Sequence, residues 1–242
     1  MTVVAALGDS FTCGEGVGVR IDPAATWAAL LASALPDGRL LGLAVPGARV
    51  ADVRTGQVPL LPDRVGVATL LVGLNDVGRS GFDPVTVGTG LLEIVAALLG
   101  RADAVLLGRL HDAVGLLPLP ARVAGAGRRR IGLINAAVDE AAGWPGVRVL
   151  DLNRVPALTQ AGGWSVDRIH PGPAGHRGMA AAAAQVLGAA GFPVTPFDEV
   201  EVPRAPSRRA RGWWALRHGL PYATGHLREI SDPLVSAVRG RG

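Results

Sequence analysis

Residues 3–10 of this 242-residue chain read Val-Val-Ala-Ala-Leu-Gly-Asp-Ser, an apolar run of strand length that passes directly into a turn sequence. Similar runs recur along the chain and alternate with longer segments of helical pattern. This alternation predicts an α/β fold, a three-layer αβα sandwich in which helices cover both faces of a parallel sheet. The predicted strands span residues 2–7, 39–45, 67–72, 103–109 and 147–152.

The predicted helices are recognised by the residues at their ends. An Asp-Pro pair, which supplies an N-cap and a proline in the first turn, begins two of them, at Asp22-Pro23 and at Asp83-Pro84. Glycine ends two others, at Gly143 and at Gly191. The sequence therefore predicts helices over residues 22–31, 83–100, 128–142 and 173–190, and a long irregular connection over residues 110–127.

Length and composition limit the classes of protein to which the chain can belong. A chain of 242 residues fits one α/β domain with a long tail. No uncharged apolar run reaches about 18 residues, the length that a membrane span requires. The first strand begins too early to leave room for a signal peptide, so we expect a cytoplasmic protein. Cys13 is the only cysteine, which rules out an internal disulfide and a thiolate metal cluster.

Positive charge is concentrated at the carboxyl end. The pI is 10.7 although the net charge is only +4, because all 24 basic residues are Arg and almost nothing else titrates above neutrality. The pI is therefore no evidence for nucleic-acid binding, and we expect none. Residues 1–200 carry 16 Arg and 17 acidic residues, whereas residues 201–242 carry 8 Arg and 3 acidic residues. This asymmetry predicts a domain over residues 1–196 and a basic extension over residues 197–242.

The sequence leaves two interpretations of the extension open. Trp213 and Trp214 can pack on the domain, or the segment can be a helix that attaches to an anionic membrane surface or binds a partner. The five arginines from Arg204 to Arg217 do not fall on one clear face opposite the tryptophans. This distribution favours packing on the domain.

Residues that can supply a polar side chain or an accessible backbone N–H follow several of the predicted strands. Ser10 follows the first strand, Gly47 the second and Asn75 the third, while Asp167 and His170 lie beyond the fifth. Because an open parallel sheet binds ligands beyond the carboxyl ends of its strands, we expect these residues to meet at one edge. A serine needs a base to remove its proton and a third group to orient that base. The sequence therefore predicts a nucleophilic serine site.

Each of these residues also has a structural explanation. Ser10 can cap a helix, Gly47 can permit a tight turn, and Asn75 can bond to its own loop backbone. The spacing of Asp167 and His170 lets the carboxylate reach one ring nitrogen while the other faces Ser10, which favours the catalytic interpretation. We assign structural roles to Cys13, Asp9 and Asp76, and structural or solvent-exposed positions to His111, His176, His218 and His226.

Four ordered sequence blocks resemble those of the SGNH (GDSL-type) serine hydrolases. They are residues 8–11 (Gly-Asp-Ser-Phe), 44–48 (Ala-Val-Pro-Gly-Ala), 73–76 (Gly-Leu-Asn-Asp) and 167–171 (Asp-Arg-Ile-His-Pro). The resemblance covers most of residues 1–190 and departs from the family pattern at Phe11, where Leu is usual. It implies a flavodoxin-like sandwich with a five-stranded parallel sheet. It also implies a triad of Ser10, Asp167 and His170, and an oxyanion hole of the Ser10 and Gly47 amides and the Asn75 side chain.

We therefore expect a serine hydrolase that cleaves an ester, or a related O-acyl, thioester or amide bond, through an acyl-enzyme at Ser10, with no cofactor and no metal. The expected substrate is a small-molecule acyl ester or acylated metabolite. Two alternatives stay open, an acyltransferase that uses the same acyl-enzyme and a non-catalytic flavodoxin-like binding module. Four leucines of the irregular connection are candidates to line an acyl pocket, namely Leu110, Leu116, Leu117 and Leu119.

Overall fold

The computed structural model describes residues 2–117 and 119–225, so Pro118, His226 and the rest of the carboxyl end lie outside the described residues. The strands within these ranges are β1 (Val3–Gly8), β2 (Glu15–Gly16), β3 (Val19–Arg20), β4 (Arg39–Gly42), β5 (Val65–Leu71), β6 (Ala102–Arg109) and β7 (Val147–Asp151). Five of them form one parallel sheet with the order β4-β1-β5-β6-β7, and β2 and β3 form a short antiparallel hairpin. The prediction of a five-stranded parallel sheet in an α/β fold is confirmed.

The central strands are buried almost from end to end. Residues 4–8 of β1, 67–71 of β5 and 104–108 of β6 are all buried. The register aligns Val4 with Val67 and Val67 with Ala104. Continuous apolar runs, rather than alternating ones, are what a sheet covered on both faces requires.

Helices form a layer on each face of the sheet. They are α1 (Ser10–Cys13), α2 (Trp27–Ser33), α3 (Val50–Asp52), α4 (Leu74–Val77), α5 (Pro84–Leu99), α6 (Ala121–Ala141), α7 (Pro173–Ala189), α8 (Arg208–Trp214) and α9 (Leu220–Gly225). In one layer α5 packs on α6 and both contact β6, and in the other α2 packs on α7. Within the described ranges, no helix combines the length and the apolar character that crossing a membrane demands.

Two helix starts differ from the prediction. α6 begins at Ala121 rather than at residue 128, so residues 121–127 are helical and not part of an irregular connection. Gly125 and Gly127 disfavour a helix by propensity, and the packing of the buried Ala124 overrides them. The helix predicted from residue 22 is a 3₁₀ turn followed by α2, which Thr26 caps. The second strand is also shorter than predicted, because β4 ends at Gly42.

The buried side chain of Gln57 holds the last residue of β1. Its Oε1 accepts a hydrogen bond from the N–H of Gly8, and its Nε2 donates to the carbonyl oxygen of Gly8, both at 2.8 Å. The Gly8 carbonyl also accepts from the N–H of Val45 at 3.1 Å. Because Gly8 immediately precedes Asp9 and Ser10, these bonds fix the backbone where it leaves the sheet.

We expect Gln57→Ala to lower the free energy of unfolding by about 1–3 kcal/mol, because a buried N–H loses its partner. The Gly8 carbonyl keeps its bond from Val45. Urea denaturation measures the change. Gln160→Ala, at an exposed glutamine, is the matched control and should change stability by less than about 0.5 kcal/mol. Equal effects of the two substitutions would contradict this role of Gln57.

Candidate active site

Ser10 is the first residue of α1 and follows β1 after a single intervening residue. That residue, Asp9, caps the helix, and its Oδ1 accepts a hydrogen bond from the N–H of Phe11 at 3.0 Å. The helix ends at Gly14, whose N–H donates to the Ser10 carbonyl at 2.9 Å. Ser10 is only 9% exposed. The strand and the cap therefore hold the hydroxyl at the carboxyl edge of the sheet, where the first N–H groups of the helix also point.

Three side chains form a continuous hydrogen-bonded chain at this edge. Nε2 of His170 lies 2.9 Å from Oγ of Ser10, and Nδ1 lies 2.6 Å from Oδ2 of Asp167. The Asp167 side chain is 1% exposed, and its Oδ1 accepts from the N–H groups of Ile169 and His170, both at 3.0 Å. The structure thus brings together the three residues predicted as a triad, with the imidazole between the hydroxyl and a fixed carboxylate.

The turn that carries Asp167 and His170 is closed by its own backbone. The N–H of Ser165 donates to the His170 carbonyl at 2.9 Å, and the Ser165 hydroxyl donates to the Pro171 carbonyl at 3.1 Å. Arg168 occupies the left-handed region at φ 60°, which lets the chain reverse between the carboxylate and the imidazole. The three-residue spacing read from the sequence therefore corresponds to a tight turn.

Asn75 and Gly47, the residues predicted to bind an oxyanion, lie on the neighbouring loops. Nδ2 of Asn75 donates to the Ala48 carbonyl at 3.1 Å and to Oδ2 of Asp9 at 3.2 Å. The amide therefore connects the residue after Gly47 with the residue before Ser10. Gly47 itself has φ 76°, a conformation that favours glycine, and a Cβ added there would meet no described residue within 4 Å apart from its own chain neighbours.

Two buried aspartates support these loops, in the structural roles that the sequence assigns to them. Asp9 accepts hydrogen bonds from Phe11 and Asn75, and burial raises its pKa to about 7. Asp76 accepts from the N–H of Val50 at 3.1 Å, and burial raises its pKa as well. The contact of Asp9 with Asn75 was not predicted from the sequence. The only available signal was the position of Asp9 directly beside Ser10.

Aromatic rings pack around the catalytic histidine candidate. The ring of Phe11 lies 5.9 Å from that of His170 and 5.5 Å from that of His111, between centroids. The His111 ring lies 4.7 Å from that of Trp164. Neither nitrogen of His111 has a hydrogen-bond partner among the described residues, and burial lowers the pKa of this histidine to about 4. His111 is therefore a neutral packing residue in a ring cluster behind His170.

Two other histidines, His176 and His218, lie within the described residues and make their contacts elsewhere. His176 is completely buried, and its Nδ1 accepts from the N–H of Trp27 at 3.1 Å. Burial lowers the pKa of His176 to about 4. His218 packs against Gly18, and His226 lies outside the described residues. The free thiol of Cys13 is half-buried, and burial raises its pKa, which disfavours a thiolate.

The predicted pocket leucines occupy different environments. Leu110 belongs to the core, and the side chain of Asn135 bridges its backbone N–H and carbonyl, each at 2.9 Å. Leu116 and Leu117 are half-buried, and Leu119 is exposed. In the part of the chain that is described, no group of three or more His, Cys, Asp or Glu residues has the geometry to hold a metal ion.

The chain is similar to one known protein family and to several solved structures. The model of the GDSL-like Lipase/Acylhydrolase family matches residues 6–177. No curated protein matches the chain in sequence. A member of the lipolytic protein G-D-S-L family from Veillonella parvula has a similar fold, with 17% identity and a TM-score of 0.62 over 78% of this chain and 99% of that chain. An extracellular lipase from Streptomyces rimosus has 20% identity and a TM-score of 0.61 over 77% of this chain and 100% of that chain. An acetylxylan esterase from Geobacillus stearothermophilus has 20% identity and a TM-score of 0.55 over 77% of this chain and 94% of that chain.

The buried His111 makes the stability of the protein depend on pH. Since its pKa falls from 6.5 to about 4 on folding, the unfolded chain binds the proton first, and stability falls as the pH falls from 6.5 toward 4. We expect His111→Phe to keep the ring packing and to reduce this slope by up to about 1.4 kcal/mol per pH unit. Urea denaturation between pH 7 and pH 4.5 tests it. An unchanged slope would contradict a neutral, buried His111.

Proposed function

Because the chain belongs to the GDSL-like lipase/acylhydrolase family, whose members hydrolyse ester bonds, we propose that it cleaves an acyl ester through a covalent acyl-enzyme on Ser10. The family resemblance of the four sequence blocks is confirmed. One observation carries the proposal, the hydrogen-bonded chain from Ser10 Oγ through His170 to Asp167 with steps of 2.9 and 2.6 Å. A hydroxyl paired with an imidazole that a buried carboxylate orients is the arrangement that activates a serine.

The acyl-enzyme forms and breaks by the same proton transfers. Nε2 of His170 takes the Ser10 proton as Oγ attacks the acyl carbon, and then gives that proton to the departing alkoxide when the ester C–O bond breaks. Water then attacks the acyl group while His170 takes its proton, and the proton returns to Ser10 as the acid leaves. Asp167 stabilises the imidazolium in both halves. A bound alcohol in place of water would give an acyltransferase, and no observation favours that variant.

Three donors are assigned to the oxyanion that forms on the acyl carbonyl. They are the N–H groups of Ser10 and Gly47 and Nδ2 of Asn75. The Asn75 amide has two N–H bonds, and its contact with Asp9, at 3.2 Å, is longer than that with Ala48. In the reaction, the oxyanion takes the place of Oδ2 of Asp9 as the acceptor of that N–H of Asn75. The open space beside Gly47 allows the carbonyl to approach the backbone.

The surroundings of the site favour an apolar acyl group on a small-molecule ester. Val45, two residues before Gly47, is exposed, and so is Ile169, the neighbour of His170. Among the similar structures are a lipase and an acetylxylan esterase, so the shared fold accommodates different esters. The choice among acyl groups therefore rests on the side chains around the site rather than on the fold.

The proposal is tested by labelling with a fluorophosphonate, which reacts with activated serines. We expect one adduct, at Ser10, and parallel loss of p-nitrophenyl acetate hydrolysis, because among the described residues only this hydroxyl contacts an oriented imidazole. Peptide mass spectrometry locates the adduct. Ser10→Ala should abolish both labelling and turnover, and Ser33→Ala, at an exposed helical serine, should alter neither. Turnover that survives in Ser10→Ala would sink the acyl-enzyme mechanism.

Asn75→Ala tests the oxyanion assignment. Loss of one preorganised donor lowers kcat by about 10²–10³, and we expect this decrease with little change in KM. Steady-state kinetics with p-nitrophenyl esters provide both constants. The control is Asn153→Ala, an exposed loop asparagine that bonds to Leu110 and Asp151. If both variants keep the parental kcat, Asn75 only shapes its loop.

A further inference from the structure

Helices α8 and α9, with the π-helical turn Ala215–Gly219 between them, form the C-terminal helical segment, residues 208–225. One side of this segment contacts the hairpin of β2 and β3. The indole Nε1 of Trp214 donates to the Val17 carbonyl at 2.7 Å. A Cβ added at Gly18 would overlap the ring of His218, which shows how closely the helix approaches. The segment is therefore held on the domain through Trp214 and His218.

The hairpin under the segment is part of the wall of the candidate active site. A Cβ added at Gly16 would overlap the ring of His170. The hairpin thus lies against the imidazole at Gly16 and bonds to Trp214 at Val17. The hairpin therefore connects the C-terminal helical segment with the candidate active site.

The opposite side of the segment is apolar and faces outward. Trp213 is 67% exposed, Leu216 67% and Leu220 54%. We call these three residues the outer stripe. Their spacing of three and then four residues is typical of one side of a helix. The sequence predicts that both tryptophans pack on the domain. In the structure Trp214 points inward to the hairpin, whereas Trp213 is exposed.

The stretch of sequence that carries the outer stripe is strongly positive. Between residues 201 and 225 the only acidic residue is Glu201. The five basic residues of this range are Arg204, Arg208, Arg209, Arg211 and Arg217. Residues 1–200 carry 16 Arg against 17 acidic residues, so the positive charge is local. Exposed aromatic and aliphatic side chains among arginines are characteristic of helices that lie in the surface of an anionic lipid layer.

We propose that the C-terminal helical segment binds the surface of an anionic lipid bilayer. The outer stripe enters the boundary between headgroups and acyl chains, and the arginines contact the lipid phosphates. Charge complementarity selects lipid over a second copy of the chain, because two copies would bring ten arginines together. Contact through the outer stripe places the segment between the lipid surface and the hairpin that lies against His170.

The first test is co-sedimentation of the full chain with vesicles. One preparation contains phosphatidylcholine alone, and the other contains phosphatidylcholine with phosphatidylglycerol. We expect binding to the mixed vesicles only, and a loss of binding on addition of salt, since screening weakens the attraction of arginine to phosphate. Equal binding to both preparations, or binding to neither, overturns the proposal.

Substitutions locate the contact on the outer stripe. Trp213→Ser combined with Leu216→Ser should lower binding to the mixed vesicles by about tenfold or more. The matched control is Leu60→Ser combined with Val85→Ser, two exposed apolar residues outside the segment, which should change nothing. Arg208→Gln with Arg209→Gln should also weaken binding about tenfold, whereas Arg122→Gln, at an exposed arginine of α6, should not. Equal effects of the stripe and control pairs overturn the assignment.

Two further measurements separate this proposal from self-association and from the proposed function. A dimer that forms without vesicles and disappears in the outer-stripe variant would identify a protein interface instead, and would overturn lipid binding. Ser10→Ala should bind vesicles as the parent does, and the outer-stripe variant should hydrolyse soluble p-nitrophenyl acetate at the parental rate. If the proposed role of Ser10 is wrong, the hydrolysis results will differ from those expected, while the vesicle-binding results will stay the same.

Discussion

The parallel alignment of β1, β5 and β6 is the constraint on which the candidate site depends. Their carboxyl ends lie at one edge of the sheet, where the chain leaves at Ser10, Asn75 and His111. These strands are buried on both faces, so a shift in register would expose apolar side chains and displace all three residues together. Gln57 adds a second restraint, because it bonds both polar backbone groups of Gly8. The core, more than the loops, therefore determines where the serine hydroxyl lies.

Burial around this edge favours neutral side chains. It raises the pKa of Asp9 to about 7 and lowers that of His176 to about 4. A carboxylate at Asp9, bonded to Asn75, would repel an oxyanion that uses the same amide, and the raised pKa reduces the ionised fraction near neutrality. A cation at His176 would oppose protonation of the nearby His170, and the lowered pKa keeps that ring neutral. Desolvation thus limits competing charges around His170, the imidazole that gains a proton in the proposed mechanism.

The sequence predicts the elements whose local pattern determines them. Continuous apolar runs located the five sheet strands, and Asp83 with Pro84 located the start of α5, because a cap acts within one turn. The start of α6 was wrong because tertiary packing overrides the low propensity of its two glycines. The hairpin of β2 and β3 was not predicted, since its strands have two residues each. The ordered motif blocks indicated Ser10, Asp167 and His170 together, but not the contact of Asp9 with Asn75, which depends on side-chain conformations from distant loops.

The two adjacent tryptophans show why composition alone is a poor guide to the extension. Successive helical residues point about 100° apart, so Trp213 and Trp214 face different directions, and only Trp214 bonds to the hairpin. The Val17 carbonyl decides between them, since it gives the indole N–H of Trp214 a partner that water would otherwise supply. The domain boundary predicted at residue 196 follows the charge of the chain, and Val200 and Val202, beyond that boundary, pack against the core. The chain then returns to the hairpin that covers His170, so residues more than 190 positions after Ser10 help to enclose the same site.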